Sequence, residues 1–223
     1  MNNICFIPAR DSSTRLKKKA LAEYGSGNLI THTLEQAVES DLFNRIILSS
    51  NSEVILEYGI EFGVEVHLRD DRHNKIIDVM RDAIPNLKIL DDDIIGLLLV
   101  TCPLRTIEDI IKAYIIFINS DKKNSVVSVR KNENPIQLAF KVNEGLLNPV
   151  MPNEYYRSTS KQDHYDTYHY NDAIIFDTCK NFMNPKRNLF GDSPIPYFMP
   201  WERSVAIDYR FQLELARYLA RKK

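Results

Sequence analysis

Glycine is scarce in this chain, at seven residues in 223, and none precedes Gly25. That excludes a Walker loop and a dinucleotide fingerprint near the N-terminus, because both use glycines to bring backbone amides onto a phosphate. Cysteine is scarce too. Cys5, Cys102 and Cys179 are odd in number and widely spaced, which excludes a disulfide framework and zinc ligand pairs and points to a reducing compartment. Neither sign of charge dominates: 29 basic residues stand against 30 acidic ones, for a net charge of -1. No global basic field favours nucleic acid. No apolar run reaches the ~18 residues of a membrane span, and residues 1–9 lack the length and cationic start of a signal peptide. The expected location is the cytoplasm, with neither nucleic acid nor membrane as a partner. No Gly-x-Ser-x-Gly elbow and no Cys–His signature occurs. None of the five histidines, His32, His67, His73, His164 and His169, falls in an i, i+4 pair, and no catalytic role is expected of them.

What the chain has is a 44% hydrophobic content, enough for one α/β domain with a substantial core. Short apolar runs alternate with amphipathic stretches. Residues 2–8, 45–48, 64–68, 94–100 and 125–129 read as strands. Residues 29–42, 53–62, 76–84 and 106–118 read as helices. Gly63 stops the second of these helices, and Thr106 caps the fourth, with Glu108 and Asp109 in its first turn. This βαβ rhythm implies a three-layer α/β fold with a mostly parallel central sheet and helices on both faces. The rhythm breaks after residue 130. A turn-rich, tyrosine-rich stretch at about 131–175 reads as an inserted arm in a single domain spanning 1–223. Strand character returns at 172–176 and 195–199, and residues 209–221 form a closing helix.

Five constellations could carry chemistry. The first is Ile4-Cys5-Phe6-Ile7-Pro8-Ala9-Arg10, followed by Ser12-Ser13-Thr14-Arg15 and Lys17-Lys18-Lys19. A buried strand delivering a cationic, hydroxyl-rich loop makes a cradle for a polyphosphate, or else a solvated basic loop. Next, Leu97 to Thr106 places a buried strand end, a tight turn and Arg105 before a helix cap, either at the strand ends where parallel sheets bind ligands or as an ordinary strand-to-helix turn. Third is Arg69, at the end of a strand, in either a ligand site or a charged surface loop. Fourth is the arm with Lys161, Gln162, Tyr168, Tyr170 and Asn171, which suits an anionic polyhydroxylated ligand or a protein interface. Last, Asp208 precedes the closing helix, as a metal ligand or as an N-cap.

Ile7-Pro8-Ala9-Arg10 with Ser13-Thr14-Arg15-Leu16 and Lys19 resembles the nucleotide loop of the acylneuraminate cytidylyltransferase family. That family holds the CMP-sialic, CMP-legionaminic and CMP-pseudaminic acid synthetases and is related to the CMP-Kdo synthetases. Pro103-Leu104-Arg105-Thr106 with Glu108-Asp109-Ile110 resembles the family's "PLRT.EDI" segment. Lys161-Gln162-Asp163 and Tyr168, Asn171, Asp172, Ala173 and Ile174 resemble its "RQD" and "Y..NGAIY" arm.

The resemblance implies a Rossmann-like nucleotidyltransferase fold with a small dimerisation arm, and transfer of CMP from CTP to an acidic nonulosonic sugar. It implies CTP contacts from Ala9, Arg10, Ser12, Ser13, Arg15, Lys19 and Arg69. Arg10, Arg15 and Lys19 would act on the reacting triphosphate. Thr101, Arg105, Lys161, Gln162, Tyr170 and Asn171 would face the sugar or shape its pocket, and Asp208 would hold Mg²⁺. A homodimer is expected. The sequence departs from the family at Leu99, where a glutamine is usual, at Asp172, where glycine is usual, and at Ala206, where the first aspartate of a "DID" pair is usual. Those departures leave room for another acceptor, such as Kdo or a non-sugar acid, or for a catalytically weak nucleotide-binding paralogue.

Overall fold

The computed structural model describes residues 1–73 and 75–222. The chain opens with β1 (Asn3–Pro8), a loop, and a short hairpin of β2 (Glu23–Tyr24) and β3 (Gly27–Asn28). Helix α1 (Leu29–Glu39) follows, then β4 (Arg45–Ser50), α2 (Glu53–Glu61), β5 (Glu65–Leu68), α3 (Ile76–Asn86), β6 (Ile94–Leu98), α4 (Ile107–Asn119) and β7 (Val126–Lys131). The arm carries a hairpin of β8 (Phe140–Asn143) and β9 (Leu146–Pro149), then α5 (Pro152–Arg157). The long strand β10 (Tyr168–Thr178) returns to the core, followed by α6 (Cys179–Met183), β11 (Ile195–Phe198) and α7 (Arg210–Ala220).

Seven strands form one sheet in the order β11-β7-β10-β6-β1-β4-β5. β1 pairs in parallel with β4 and β6, β4 with β5, and β11 with β7. Only β10 runs antiparallel, between β6 and β7. Successive side chains of a strand face opposite sides, and the core divides accordingly. Cys5 and Ile7 of β1 join Leu29, Leu34, Phe117 and Leu213 on one face. Ile4 and Phe6 join Met80, Ala83, Ile84 and Phe182 on the other. The result is the three-layer fold expected from the alternating pattern. Among the described residues no helix is long and apolar enough to cross a membrane.

Local chemistry sets the boundaries. Asn28 caps α1 by accepting from the amides of Ile30 (2.9 Å) and Thr31 (3.0 Å). The helix ends at Glu39, three residues short of the expected end, and Asp41 turns the chain at φ 50°. The first strand of the arm starts at Phe140, and its hairpin closes through a turn with Glu144 at φ 51° and Gly145 at φ 76°. Two left-handed residues in succession give the tight hairpin whose twist matches its strands.

The first turn of α4 carries the densest polar knot. Asp109 is 1% exposed. Its carboxylate accepts from the Thr106 amide (2.8 Å) and hydroxyl (3.0 Å), from the Tyr197 hydroxyl (2.8 Å), and from Arg203 Nε (3.0 Å) and Nη2 (2.9 Å). Burial pushes its pKa up, but the bonds from Arg203, Thr106 and Tyr197 outweigh burial and hold it below the ordinary carboxylate value. One side chain therefore ties α4 to β11 and to the segment entering α7.

A carboxylate with a depressed folded pKa contributes stability above its unfolded pKa, and that contribution is lost as pH falls through the folded value. We expect Asp109→Ala to lose roughly 3–5 kcal/mol of unfolding free energy at neutral pH. The difference between wild type and variant should shrink below about pH 4. Urea titrations across pH check both; a constant difference down to strong acid would show that the charge is not what stabilises the knot.

Candidate functional site

The carboxyl ends of the parallel strands converge on one cavity. After β1, the Ala9 amide extends the sheet by donating to Ser49 O (2.9 Å), and then the chain leaves as the 10–19 loop. After β5, the Arg69 amide donates to Ser50 O (2.9 Å). After β6 come Leu99, Val100 and Thr101. Between these ends lies a cavity of about 260 Å³ lined by Pro8, Ala9, Arg10, Ser12, Ser13, Thr14, Arg15, Lys19, Ala20, Arg69, His73, Ile76, Val79, Leu99, Val100 and Thr101. Ligands in open α/β sheets bind at such strand ends.

Its walls differ. One is cationic, with Arg10, Arg15, Lys19 and Arg69. Another is apolar, with Ile76, Val79 and Leu99. Arg10 donates through Nε (3.2 Å) and Nη2 (2.9 Å) to the Ser12 hydroxyl, which fixes the start of the loop. Arg69 reaches back to Ala9 O through Nη2 at 3.4 Å, while its Nε is buried without a hydrogen-bond partner. Burial, and then the neighbouring Arg10, lower the Arg69 pKa. Both causes disfavour an uncompensated guanidinium, and an anion in the cavity relieves them.

The loop also reaches the far end of the chain. Arg15 Nη1 lies 2.8 Å from Asp208 Oδ2, and Lys19 Nζ lies 2.9 Å from Asp208 Oδ1. The Arg15 guanidinium sits 5.7 Å from the centre of the Tyr209 ring. Asp208 is held in turn by its amide, which donates to Gln212 Oε1 (2.7 Å). The Ile207 amide donates to Thr101 O (2.8 Å), bringing this segment against the end of β6. Two loop cations thus share one carboxylate at the edge of the cavity.

The remaining expected contacts lie elsewhere. Arg105 is 1% exposed. Its Nη1 donates to Leu99 O (2.6 Å), Cys102 O (3.3 Å) and Ala173 O (3.2 Å). Burial lowers its pKa to about 10. It shapes the pocket floor from beneath and does not line the cavity. Asn171 is also buried, and its amide accepts from the Ser128 hydroxyl (2.6 Å) and donates to the Ser204 hydroxyl (2.9 Å). Tyr170 packs on Phe190 with ring centres 4.6 Å apart. Lys161 and Gln162 line a separate depression on the arm with Lys131 and Tyr165. Sequence reasoning missed His73, Ile76 and Val79 as wall residues, because α3 reads as an ordinary amphipathic helix and nothing in its pattern marks the end that meets the cavity.

The conserved pattern of the cytidylyltransferase family matches residues 4–198 of this chain. The pseudaminic acid cytidylyltransferase of Campylobacter jejuni subsp. jejuni serotype O:2 is 30% identical over 226 residues, covering 98% of this chain and 96% of that protein. The N-acylneuraminate cytidylyltransferase of Escherichia coli O18:K1:H7 is 26% identical, over 99% of this chain and 52% of its own length. Among solved structures, a CMP:2-keto-3-deoxy-manno-octonic acid synthetase complexed with CTP superposes with a TM-score of 0.74 at 15% identity, covering 100% of this chain and 99% of that one. A 4-diphosphocytidyl-2C-methyl-D-erythritol synthase gives 0.71 at 10% identity, covering 98% of both chains. These two likenesses concern the fold. The chain belongs to the cytidylyltransferase family, whose members are CTP-dependent nucleotidyltransferases.

With Asp208 occupying Arg15 and Lys19, a polyphosphate must compete with a built-in anion. Each such partly exposed pair is worth ~0.2–1 kcal/mol. We therefore expect Asp208→Asn to bind inorganic tripolyphosphate in EDTA roughly two- to thirtyfold more tightly than wild type, the range two such pairs allow. Calorimetry reads it; weaker binding by the variant would mean that the two cations do not form the phosphate site.

Proposed function

We propose that this protein transfers CMP from CTP to an acidic nonulosonic sugar of the sialic or pseudaminic acid type, releasing pyrophosphate. The observation that carries the reading is the convergence of Arg15 and Lys19 on Asp208 at the mouth of the cavity. It combines two cations suited to phosphate with one carboxylate suited to a hard cation. The buried, unpartnered Arg69 Nε on the same cavity adds a further donor for an anion. The sugar class is supported by the Campylobacter jejuni relative of nearly equal length.

In this reaction the acceptor's anomeric hydroxyl oxygen attacks the α-phosphorus of CTP. A new P–O bond forms as the hydroxyl gives up its proton to solvent water, the bond from the α-phosphorus to the bridging oxygen breaks, and pyrophosphate leaves with that electron pair. Arg10, Arg15 and Lys19 hold the triphosphate in line and stabilise charge as it shifts towards the leaving group. Ala9, Ser12 and Ser13 contribute polar atoms to the same loop, and Arg69 holds the nucleotide from the β5 end. Thr101 stands where the cavity meets the Asp208 segment. Arg105 and Asn171 position these elements without touching the ligand.

The single carboxylate of Asp208 at the cavity edge fits Mg²⁺, which characteristically binds through one or two carboxylates with substrate phosphates and water. Asp208 would hold it, once phosphate has drawn Arg15 and Lys19 away. Such an ion supplies charge neutralisation on the phosphates.

A dimer accompanies this reading. The β8–β9 hairpin leaves Val142 (73%), Leu146 (70%) and Leu147 (66%) exposed, and Tyr156 (77%) lies on α5 close by. An isolated two-stranded hairpin is marginal in water, and an exposed apolar patch marks an interface. The arm, with Lys161 and Gln162, is therefore the surface through which two copies meet. Light scattering at micromolar concentration should give twice the chain mass; a monomer would contradict it.

Turnover is tested with CTP, Mg²⁺ and a panel of pseudaminic, legionaminic, sialic and Kdo acceptors, read as pyrophosphate release. A nonulosonic acid should give the highest kcat/KM. Preference for Kdo would favour a second reading, in which Leu99 on the cavity wall reflects a different acceptor. Arg15→Ala and Lys19→Ala should each lower kcat/KM for CTP by roughly tenfold to more than a hundredfold, the loss of a charge-assisted bond of ~1.5–3 kcal/mol. Wild-type kinetics in both would remove the loop from the site.

A further inference from the structure

The two loop cations are not held equally. Lys19 is mostly covered, whereas the Arg15 side chain is half-exposed. Among the described residues Arg15 makes one hydrogen bond, to Asp208 Oδ2 at 2.8 Å, and one ring contact, with its guanidinium over Tyr209 at 5.7 Å from the ring centre. That separation is within the reach of a cation–π attraction. A long, exposed side chain with so few contacts keeps rotamer freedom that is lost when a ligand orders it.

Asp208 and Tyr209 are neighbours in the chain, and one acceptor fixes both. Gln212 Oε1, in the first turn of α7, accepts from the Asp208 amide (2.7 Å) and from the Tyr209 amide (2.8 Å). The Tyr209 ring is steadied by Phe211, which stacks with it at 6.1 Å between centres and 15° between planes, a separation at which offset rings attract. Arg15 therefore meets an anchored carboxylate and an anchored ring side by side.

The two holds differ in kind. The Asp208 carboxylate is an anion, and a phosphate entering the cavity that Arg15 lines competes with it. The Tyr209 ring carries no such charge. It attracts the guanidinium through its π face and leaves the N–H groups, which lie in the guanidinium plane, free for phosphate oxygens. A cation–π contact also strengthens when a ligand excludes water from it, whereas the ion pair with Asp208 has to be given up.

We propose that Tyr209 is a positioning residue for the triphosphate: its ring keeps hold of the Arg15 guanidinium when phosphate displaces Asp208, so that the cation meets the ligand already oriented. The inference rests on the cytidylyltransferase reading of the loop. It adds to that reading a residue at the entrance to the closing helix, which acts through Arg15.

Calorimetry on the full chain with inorganic tripolyphosphate in EDTA tests it. Tyr209 is half-exposed, and its backbone makes the bonds that start the helix, so its side chain can be exchanged without unfolding; unchanged thermal midpoints verify this. Tyr209→Ala and Tyr209→Leu should weaken binding about fivefold or more, the gap between an exposed and a desolvated cation–π contact. Tyr209→Phe should stay within twofold of wild type, and Tyr209→Trp should bind at least as tightly, because indole offers the strongest π face. In an Arg15→Ala background Tyr209→Leu should change affinity by less than twofold, since the two side chains act as a unit. A leucine that serves as well as tyrosine, or an equal loss with and without Arg15, would show that the ring acts by bulk or through the helix and would overturn the proposal. If Arg15→Ala itself binds tripolyphosphate as tightly as wild type, the loop is not the phosphate site, and the nucleotide reading falls together with the proposal.

Discussion

The buried carboxylate of Asp109 is the constraint on which the rest of the site depends. It accepts five hydrogen bonds, from Thr106, Tyr197 and Arg203. Those donors come from the start of α4, from β11 and from the chain leading into α7. A carboxylate so deep is unfavourable unless its lone pairs are filled, and filling them fixes the path of the chain from residue 197 to residue 208. Asp208 therefore reaches the N-terminal loop because Asp109 holds Arg203 five residues earlier. Arg105, four residues before Asp109, does the complementary work on the other side. Its guanidinium gathers the carbonyls of Leu99, Cys102 and Ala173. The segment 103–109 is thus a brace of two buried, opposite charges that sets both the floor of the cavity and its far edge.

Above that brace the electrostatics are arranged for exchange. Arg15 is half-exposed and Lys19 mostly covered, and both rest on a carboxylate that is itself one-third exposed. Such pairs are weak in water, so they hold the loop in place without locking it. On the proposed reading a triphosphate would offer each cation a stronger, more highly charged partner, and positioning and neutralisation would then come from the same side chains.

Much of this was legible in the sequence. The period-2 and period-3.6 patterns located the strands and helices of the core, because both faces of the sheet are covered and the strands read as apolar runs. The basic loop stood out by charge alone, and Arg69 by its place after a strand. The roles of Arg105 and Asn171 did not show, because a polar residue in a motif looks the same whether it meets a ligand or a backbone carbonyl. Burial distinguishes the two, and burial belongs to the tertiary structure. The apolar wall of Ile76, Val79 and Leu99 was hidden for the converse reason: those residues satisfy the core pattern and the cavity equally.

The central claim is that Arg15 and Lys19 leave Asp208 for the triphosphate and that a cation takes their place. The most direct measurement is a crystal structure with the non-hydrolysable CTP analogue and Mn²⁺, phased to show the metal by anomalous scattering. The account predicts phosphate oxygens within hydrogen-bond distance of Arg15 and Lys19, and a metal peak at the Asp208 carboxylate. A bound nucleotide with both cations still paired to Asp208, and the metal peak elsewhere, would contradict it.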